Sequence, residues 1–420
     1  MESGRQLDYQ RALEALRNGV PNRHAVSVLG SNQGEAEKEF LARLDCVESS
    51  AAEGEQAPGL LIAGGFGTGK SHLLDYLEHL AGSKNFVTSR VVISKETPLF
   101  DPAKVLLAAI DGAVVPELNG EAIREIALRL QPESPRYRQF SEWLKKPANG
   151  LSQIFAATVL LHERLHNDPE LVDDITSFWS GERLPLSRIR QGLKQINSSG
   201  MYSLKSVKLK ELALQRFQFV ARMILAAGYA GWVLLIDEVE LVGRYSLLQR
   251  GRSYAELARW MGAVEGEANP GVLAVAAITD DFSLKVLHEK GDRDKVGARL
   301  RAKDTDEYLT LAGRADTGMR LIEREALLLQ PPDEATLRRT YERLKQIHAE
   351  AYGWEPPEIP WPAAAITRRM RSYVRRWVNE WDLRRLYPGA SLSADEELEI
   401  RPTYEQDADL EQPSEGAEEG

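Results

Sequence analysis

The sequence lacks most of the features that mark secreted and membrane proteins. Its single cysteine, Cys46, excludes an internal disulfide and a cysteine-rich metal site. No run approaches the roughly 18 consecutive apolar residues of a membrane span, and the first residues do not have the basic-then-apolar order of a signal peptide. The seven histidines are not grouped at metal-ligand spacing. These absences favour a cytoplasmic protein that is held together by a packed core and has no membrane partner.

The chain also has no net charge outside its C-terminal tail. Residues 390–420 contain eleven acidic residues and one basic residue, whereas the preceding 389 residues contain 52 of each. Because this tail has few large apolar side chains, it is predicted to be disordered. Two roles stay open for it: a solubilising terminus, or an acidic tether that competes with nucleic acid for a basic surface.

The order of the apolar segments predicts an α/β protein. Short apolar runs indicate the strands of a parallel, doubly wound sheet, and helical periodicity over about residues 102–229 indicates a large helical insertion. The predicted strands are residues 60–63, 90–94, 232–236, 272–278 and, weakly, 308–311. The predicted units are an N-terminal helical segment (1–48), a core (49–315), a helical lid (316–389) and the acidic disordered tail. In the lid, Asp333 is predicted to cap a helix.

The strongest motif is GGFGTGKS, which fits the pattern GxxxxGK[ST] between a predicted strand and a predicted helix. Such a loop wraps phosphates with its backbone N–H groups and with the N-terminus of the helix. Lys70 would reach the β and γ phosphates of ATP, with a charge that the fold itself is not expected to need, and Ser71 would offer a hydroxyl to Mg²⁺. His72 is interpreted as a packing residue or as part of the nucleotide rim. The cofactor-binding residues are therefore predicted to be Gly64, Gly65, Phe66, Gly67, Thr68, Gly69, Lys70, Ser71 and His72.

A second motif, WVLLIDEVE, ends an apolar strand with two acids. In P-loop proteins the first acid holds the Mg²⁺ shell and the second acts as general base for the attacking water. Asp237 is therefore the predicted metal residue, together with Ser71, and Glu238 is the predicted general base. The 167 residues between Lys70 and Asp237 are accounted for by the helical insertion.

Three further residues are candidates for reading or stabilising the γ-phosphate. Thr279 follows the strand GVLAVAAI and is predicted to be a sensor, although threonine is also common at strand ends for turn reasons. Arg299, with Arg301 as the second choice, is predicted to be an arginine finger for a neighbouring subunit in a homo-oligomer. Arg371 is predicted to reach the nucleotide from the lid.

Seven arginines lie between Arg368 and Arg385, against only two acidic residues. This excess of positive charge could face the phosphates of ATP, a DNA backbone or the acidic tail. No zinc-finger or homeodomain pattern accompanies it, so a DNA contact through this basic lid is predicted from charge alone.

The order of these motifs resembles that of an AAA+ ATPase of the Orc/Cdc6-like kind. Longer blocks over about residues 10–389 resemble the BREX-system ATP-binding proteins of the BrxD type; they include APGLLIAGGFGTGKSHLLDYLEHLA, AGWVLLIDEVELVGRYS and WDLRRLYPG. The segment from about residue 119 to residue 200 carries little of this resemblance. One departure is Thr279, which occupies a position where AAA+ proteins commonly have asparagine.

The resemblance implies an ATP- and Mg²⁺-dependent ATPase in a bacterial anti-phage defence system, working beside other defence-system proteins. It carries the roles named above onto Gly64 to Ser71, Asp237, Glu238, Thr279, Arg299 and Arg371. Two alternatives to a hydrolysing motor or switch stay open. One is a nucleotide-dependent scaffold with little hydrolysis, and the other is a P-loop kinase that transfers phosphate to an acceptor instead of water.

Overall fold

A six-stranded sheet forms the centre of the protein in a computed structural model, which describes residues 2–18, 26, 29–116, 118, 120–146, 149–359, 370–387, 404 and 407. The strand order is β3-β2-β4-β5-β1-β6. All neighbours are parallel except β2 and β3, which are antiparallel. The strands are β1 (Leu60–Ala63), β2 (Phe86–Val92), β3 (Ala113–Val114), β4 (Gly231–Asp237), β5 (Val272–Ile278) and β6 (Leu327–Leu328).

Helices pack on both faces of this sheet, which confirms the predicted α/β class and the mostly parallel sheet. Every residue of β4 and β5 is buried, as expected for parallel strands covered on both sides. Successive residues of β4 alternate between two cores: Leu234 and Ile236 join the larger core, and Val233 and Leu235 join the smaller one. The second strand begins four residues earlier than predicted, because Phe86 already pairs with Gly231.

The helices before and within the insertion are mostly short. Asp101, Ser134, Ser152 and Asp168 each cap the helix that follows, by accepting hydrogen bonds from backbone N–H groups of its first turn. Only the two-residue strand β3 interrupts the predicted helical insertion within the described residues. The helices are α1 (Glu2–Asn18), α2 (Gly34–Glu53), α3 (Lys70–Ser83), α4 (Pro102–Asp111), α5 (Ala122–Leu128), α6 (Pro135–Lys145), α7 (Gln153–Arg164), α8 (Pro169–Ser180), α9 (Leu186–Gln195) and α10 (Leu209–Ala226).

Helical structure resumes after β4, and the weak strand predicted at residues 308–311 is wrong. A 3₁₀ helix covers Val239–Arg244, and a π-helix covers Ser283–Glu289. Residues 308–311 lie in the first turns of a helix that Thr305 caps, because its Oγ1 accepts from the N–H of Tyr308. The later helices are α11 (Leu247–Trp260), α12 (Asp292–Arg301), α13 (Asp306–Arg324), α14 (Glu334–Tyr352) and α15 (Met370–Leu386).

Helix α13 is amphipathic, which explains why the short apolar run in it is not a strand. Ala312, Ala315, Met319 and Ile322 recur every three or four residues and are buried in the larger core. The backbone of α13 also approaches α11 closely: a Cβ on Gly318 would stand 2.0 Å from the carbonyl oxygen of Tyr254. The sixth strand of the sheet lies after this helix, as β6.

The N- and C-terminal helices share a third core, which we call the terminal bundle (α1, α14 and α15). Asp333 caps α14 as predicted, because its Oδ1 accepts from the N–H of Thr336. Arg17 of α1 pairs with Asp382 of α15 at 2.5 Å. The buried residues of this core are Tyr9, Leu13, Leu337, Tyr341, Leu344, Ile347, Ala351, Ile359, Tyr373, Val374, Trp377, Val378 and Trp381.

Two predicted unit boundaries fall inside helices. Helix α2 runs across the boundary at residues 48 and 49, and α13 runs across that at residues 315 and 316. In the tail predicted to be disordered, Tyr404 and Asp407 are placed against the core, and the other residues of 390–420 lie outside the described part, as do Arg368 and Arg369. Among the described helices, none combines the length and apolar character needed to cross a membrane.

Candidate functional site

The glycine loop of residues 64–71 joins β1 to α3 at the edge of the sheet formed by the carboxyl ends of the parallel strands. Gly67 (φ 76°) and Gly69 (φ 104°) have left-handed backbone conformations that other residues rarely adopt. Helix α3 begins at Lys70, so the unpaired N–H groups of its first turn lie at the loop. The loop therefore presents a positive helix terminus to the space above it, which is a favourable place for an anion.

Lys70 is the buried cation of this loop, with 9% of its surface exposed. Its Nζ donates to the carbonyl oxygen of Gly64 at 2.8 Å and lies 3.5 Å from Glu240 Oε1. The ring of Phe66 covers it at 5.2 Å. The expectation that the fold does not use this charge is wrong, because Lys70 is the partner of a buried glutamate.

Ser71 and Asp237 meet although 166 positions separate them in the chain. Ser71 Oγ donates to Asp237 Oδ2 at 2.9 Å, and the backbone N–H of Glu238 donates to Oδ1 at the same distance. These two residues, which were predicted to share a metal, therefore lie side by side. A hydroxyl and a carboxylate are hard oxygen ligands of the kind Mg²⁺ prefers.

Arg90 is a member of this cluster that sequence reasoning missed. Its guanidinium donates to Asp237 Oδ2 at 2.6 Å and to Asp75 Oδ1 at 2.9 Å. Arg90 lies on β2, which pairs with β4 in parallel register, so its side chain comes within reach of the end of β4. The available signal was a charged residue at the start of a predicted strand, since such a residue needs a partner when the sheet is covered.

Glu238 follows β4 in a left-handed conformation, with φ 60° and ψ 31°. A non-glycine residue in this region costs of the order of 1–3 kcal/mol and is often found at functional sites. Partial burial of its carboxyl raises the pKa of Glu238, and the neighbouring charge of Asp237 raises it further. The same pKa is lowered by the positive charges of Lys70, Arg90 and Arg371. This environment suits a carboxylate that accepts a proton.

Glu240 is a second residue of the site that sequence reasoning missed, although it lies in the same DEVE segment as Asp237 and Glu238. It is 5% exposed, and burial raises its pKa to about 7 despite the nearby Lys70. Its Oε2 is buried with no hydrogen-bond partner among the described residues. One carboxylate oxygen beside Lys70 is therefore available to a further polar partner.

We expect Glu240→Gln to remove a pH dependence of stability. Because the pKa of Glu240 is raised from 4.5 to about 7, the folded protein binds more protons than the unfolded chain between these values. Its unfolding free energy therefore falls as the pH rises, by about 1–3 kcal/mol for this group. Urea unfolding at about pH 5 and at about pH 8 measures this change. The free energy of unfolding should decrease less between the two pH values in the variant than in the wild type. An equal fall in both proteins would show that Glu240 titrates normally.

Thr279 lies between the glycine loop and the acids. Strand β5 pairs with β1 on one side and with β4 on the other, so Thr279, the residue after β5, stands between Gly64 and Asp237. It is 2% exposed. Its Oγ1 lies 2.5 Å from the hydroxyl of Tyr404, a tail residue that was not predicted to belong to the site.

A cavity of about 420 Å³ opens beside the glycine loop, between the loop and the terminal bundle. Its walls include Thr68, Gly69, Gln33, Pro331 and Arg371. Arg371 of α15 therefore lies in the wall of this cavity, and its contact with a nucleotide stays a prediction. This volume lies in the range of small-molecule sites.

His72 also lines this cavity, but its ring is held by the protein. Its Nε2 lies 2.9 Å from the carbonyl oxygen of Gly30, and burial lowers its pKa. A neutral imidazole that donates to this carbonyl ties residues 29–33 to the start of α3. This position agrees with a packing residue at the rim of the cavity.

The two finger candidates lie on α12, away from the cavity walls. Arg299 is exposed, and within the described residues it forms no ion pair. Arg301 is also exposed but pairs with Asp316 of α13. The two arginines therefore differ: among the described residues Arg299 has no ion-pair partner, whereas Arg301 is paired with Asp316.

The mostly parallel sheet, with its glycine loop between a buried strand and a helix, fits a P-loop-type α/β fold. The model of the family described as BREX system ATP-binding protein BrxC/D matches residues 5–112 and 206–380, more than half of the chain. The chain therefore belongs to this family, which confirms the resemblance seen in the sequence. The residues between the matched segments hold most of the helical insertion. Searches of the curated proteins and of the solved structures gave no significant match.

Proposed function

We propose that this BREX ATP-binding protein hydrolyses ATP with Mg²⁺ as an AAA+ ATPase and acts as a motor or switch in anti-phage defence. The observation that carries the proposal is the convergence of three strand ends. The glycine loop follows β1, Asp237 and Glu238 end β4, and Thr279 follows β5 between them. A phosphate chain on the loop would meet a cation, two carboxylates and a hydroxyl.

The triphosphate would lie on the glycine loop, with the nucleoside in the adjoining cavity. Thr68 and Gly69 belong both to the loop and to the cavity wall, so the two compartments are continuous. Lys70 would exchange its partner Glu240 for phosphate oxygens, and a glutamate with a pKa of about 7 can take up a proton when it loses that cation. The buried pair is therefore easily opened by an anionic ligand.

Ser71 and Asp237 would hold Mg²⁺, whose charge neutralises the phosphate oxygens when it is bound. Arg90 donates to Asp237 Oδ2, the oxygen that also accepts from Ser71, at 2.6 Å, and Asp75 fixes Arg90 in turn. This chain of contacts orients Asp237 without help from a ligand, so the site is preorganised.

Glu238 would accept a proton from the water that attacks the γ-phosphorus. The proton moves to the carboxylate as the new P–O bond forms and the bond to the β-phosphate oxygen breaks. Glu238 is exposed whereas Asp237 is buried, so the two acids can serve different atoms. Thr279 would donate its hydroxyl proton to a γ-phosphate oxygen and so sense the phosphate.

The terminal bundle would act as the lid of an AAA+ protein. It contributes Arg371, Thr336 and Thr340 to the cavity wall, so a nucleotide in the cavity would touch both the core and the lid. Binding and release of phosphate could then move α14 and α15 relative to the sheet. Such a movement is how a hydrolysing switch would signal to other defence-system proteins.

DNA contact through the basic lid stays a proposal with reduced support. Arg384 pairs with Glu380 at 2.7 Å, and Arg385 lies over the ring of Tyr352. Arg371 faces the cavity. Two of the seven arginines thus have partners inside the chain and a third faces the cavity, which lowers the charge that a DNA backbone would meet.

We expect Lys70→Ala to abolish tight ATP binding. The variant loses a buried cation at the phosphate position, and charge-assisted bonds are about twice as strong as neutral ones, so affinity should fall at least about tenfold. The fold should survive because Glu240, left without its partner, can become protonated. Titration with a fluorescent ATP analogue and a circular dichroism spectrum measure both effects.

Lys84→Ala is the matched control, because Lys84 stands just past the other end of α3 and is half-exposed. It should bind ATP like the wild type. Unchanged affinity in Lys70→Ala would refute the proposed site.

A further inference from the structure

The C-terminal tail sends Tyr404 into the candidate site. Its hydroxyl lies 2.5 Å from Thr279 Oγ1 and donates to Asp281 Oδ1 at 2.9 Å. Its ring stacks edge-on against Phe282 with centroids 5.8 Å apart, and burial raises the pKa of the phenol. A residue that is 125 positions from Thr279 in the chain is therefore the hydrogen-bond partner of the proposed sensor.

The position of Tyr404 is built by several contacts of the core. Lys290 Nζ donates to the carbonyl oxygen of Tyr404 at 2.7 Å and to that of Gly243 at 2.8 Å. Asp407 pairs with Arg244 at 2.6 Å, and its N–H donates to the Arg244 carbonyl oxygen at 3.1 Å. These contacts fix both the backbone and the side chains of the docked residues.

Glycine at position 243 makes room for the ring. A Cβ on Gly243 would stand 2.8 Å from a ring carbon of Tyr404 and 2.9 Å from Val286. Because a Cβ essentially never approaches another atom so closely, any larger residue at this position would displace the tyrosine or the π-helix. The groove thus fits an aromatic ring from the tail.

The directions of the hydrogen bonds at Tyr404 determine which acceptor the Thr279 hydroxyl can donate to. A phenol has one proton, and an ionised carboxylate only accepts, so the proton of Tyr404 goes to Asp281. Thr279 must then donate its own proton to the Tyr404 oxygen. A γ-phosphate oxygen also only accepts, and so it needs that same proton from Thr279.

We propose that the docked tail competes with the γ-phosphate for the Thr279 hydroxyl and so restrains ATP turnover. This inference rests on the proposed function, since the tail has this role only if Thr279 forms a hydrogen bond with the γ-phosphate. When the phosphate accepts the hydrogen bond of Thr279, Tyr404 loses one of its own hydrogen bonds and is held less tightly to the core. The occupant of the groove is this chain's own Tyr404, which Asp407 helps to hold, and nucleotide and tail regulate each other.

Tyr404→Phe tests the hydrogen bond while keeping the ring. We expect turnover at saturating ATP to rise about three- to tenfold, the effect of removing one competing hydrogen bond. Thr279→Ala should cancel this gain, because the double variant has no hydroxyl to release. Tyr387→Phe, at an exposed tyrosine just after α15, is the control and should turn over ATP like the wild type. A lower rate in Tyr404→Phe would show that the tail supports the site, and an unchanged rate would show a structural anchor; either result overturns the proposal.

A reversible disulfide tests the docking itself. Arg244 and Asp407 are joined by a backbone hydrogen bond, so the paired substitutions Arg244→Cys and Asp407→Cys, in a Cys46→Ser background, place two thiols close enough to bridge. Oxidation should lower turnover at least about threefold, and dithiothreitol should restore it. Failure of the disulfide to form, or an oxidised protein as active as the reduced one, would refute the docked tail as a restraint.

The rate of disulfide formation separates this inference from the proposed hydrolysis. We expect a non-hydrolysable ATP analogue to slow the bridging of positions 244 and 407 in this double variant, because its phosphate accepts the hydrogen bond from Thr279 that holds Tyr404. Slower bridging in a protein without turnover would support the competition for the Thr279 hydroxyl and would refute hydrolysis. If the protein turns over ATP but the analogue does not change the bridging rate, hydrolysis is supported and the inference about the tail is refuted.

Discussion

Glu238→Gln should reduce ATP turnover by about 10²- to 10⁴-fold, the range that a general base contributes, while nucleotide binding stays nearly unchanged. The amide keeps the size of the side chain but cannot accept the proton of the attacking water. ATP affinity should persist because the glycine loop and Lys70 are intact. Phosphate release under steady-state conditions and nucleotide titration measure the two effects separately.

The same experiment decides between a hydrolysing ATPase and a scaffold. Glu289→Gln is the control, since Glu289 is an exposed partner of Lys285. Nucleotide binding without phosphate release in both the wild type and Glu238→Gln would support the scaffold. Phosphate that appears on an acceptor instead of in solution would support a kinase.

The pH dependence of the wild-type rate gives a further check on Glu238. Burial raises the pKa of Glu238 above its ordinary value of 4.5, and a general base works only in its deprotonated form. Turnover should therefore fall on acidification at a pH above that of an unperturbed glutamate.

Arg299→Ala should reduce turnover by about 10³-fold without weakening ATP binding, if this arginine completes the site of a neighbouring subunit. In the described part of the chain Arg299 is exposed and has no ion-pair partner, so its guanidinium is free to meet a second copy. Arg301→Ala is a matched control, because Arg301 lies on the same helix and pairs with Asp316. It should leave turnover within a few-fold of the wild type.

Mixing two inactive variants tests whether the finger acts between subunits. Arg299→Ala keeps its own Glu238, and Glu238→Gln keeps its own Arg299, so a mixed oligomer contains some complete sites. We expect turnover in the mixture that neither variant shows alone, and self-association that increases with ATP. A full-rate monomer, or Arg299→Ala with wild-type turnover, would remove Arg299 from the site.

The parts of the site that could be predicted from the sequence are those that local pattern encodes. The glycine loop depends on glycines at fixed spacing between an apolar strand and a helix, and Asp237 and Thr279 stand out because each marks where an apolar strand ends. Asp333 was predictable as a cap for the same reason, since a cap bonds backbone groups two or three residues away. The family resemblance added roles to these positions.

The run at residues 308–311 shows where local pattern fails. A four-residue apolar segment fits a strand as well as one turn of a helix, and the choice is made by what lies around it. Here the buried residues at 312, 315, 319 and 322 pack against α11, and their burial favours a helix through the whole of α13.

Tertiary structure alone decided the partners of the catalytic candidates. Arg90 reaches Asp237 because β2 and β4 are neighbours in the sheet, Glu240 meets Lys70 because the chain turns into a 3₁₀ helix after β4, and Tyr404 reaches Thr279 from the tail. None of these contacts is local, so no spacing in the sequence encodes it. The sequence by itself determined which residue types stand at the strand ends. Only the packing of distant segments decided which charges and hydroxyls face one another, because hydrogen bonds and ion pairs depend on distance in space.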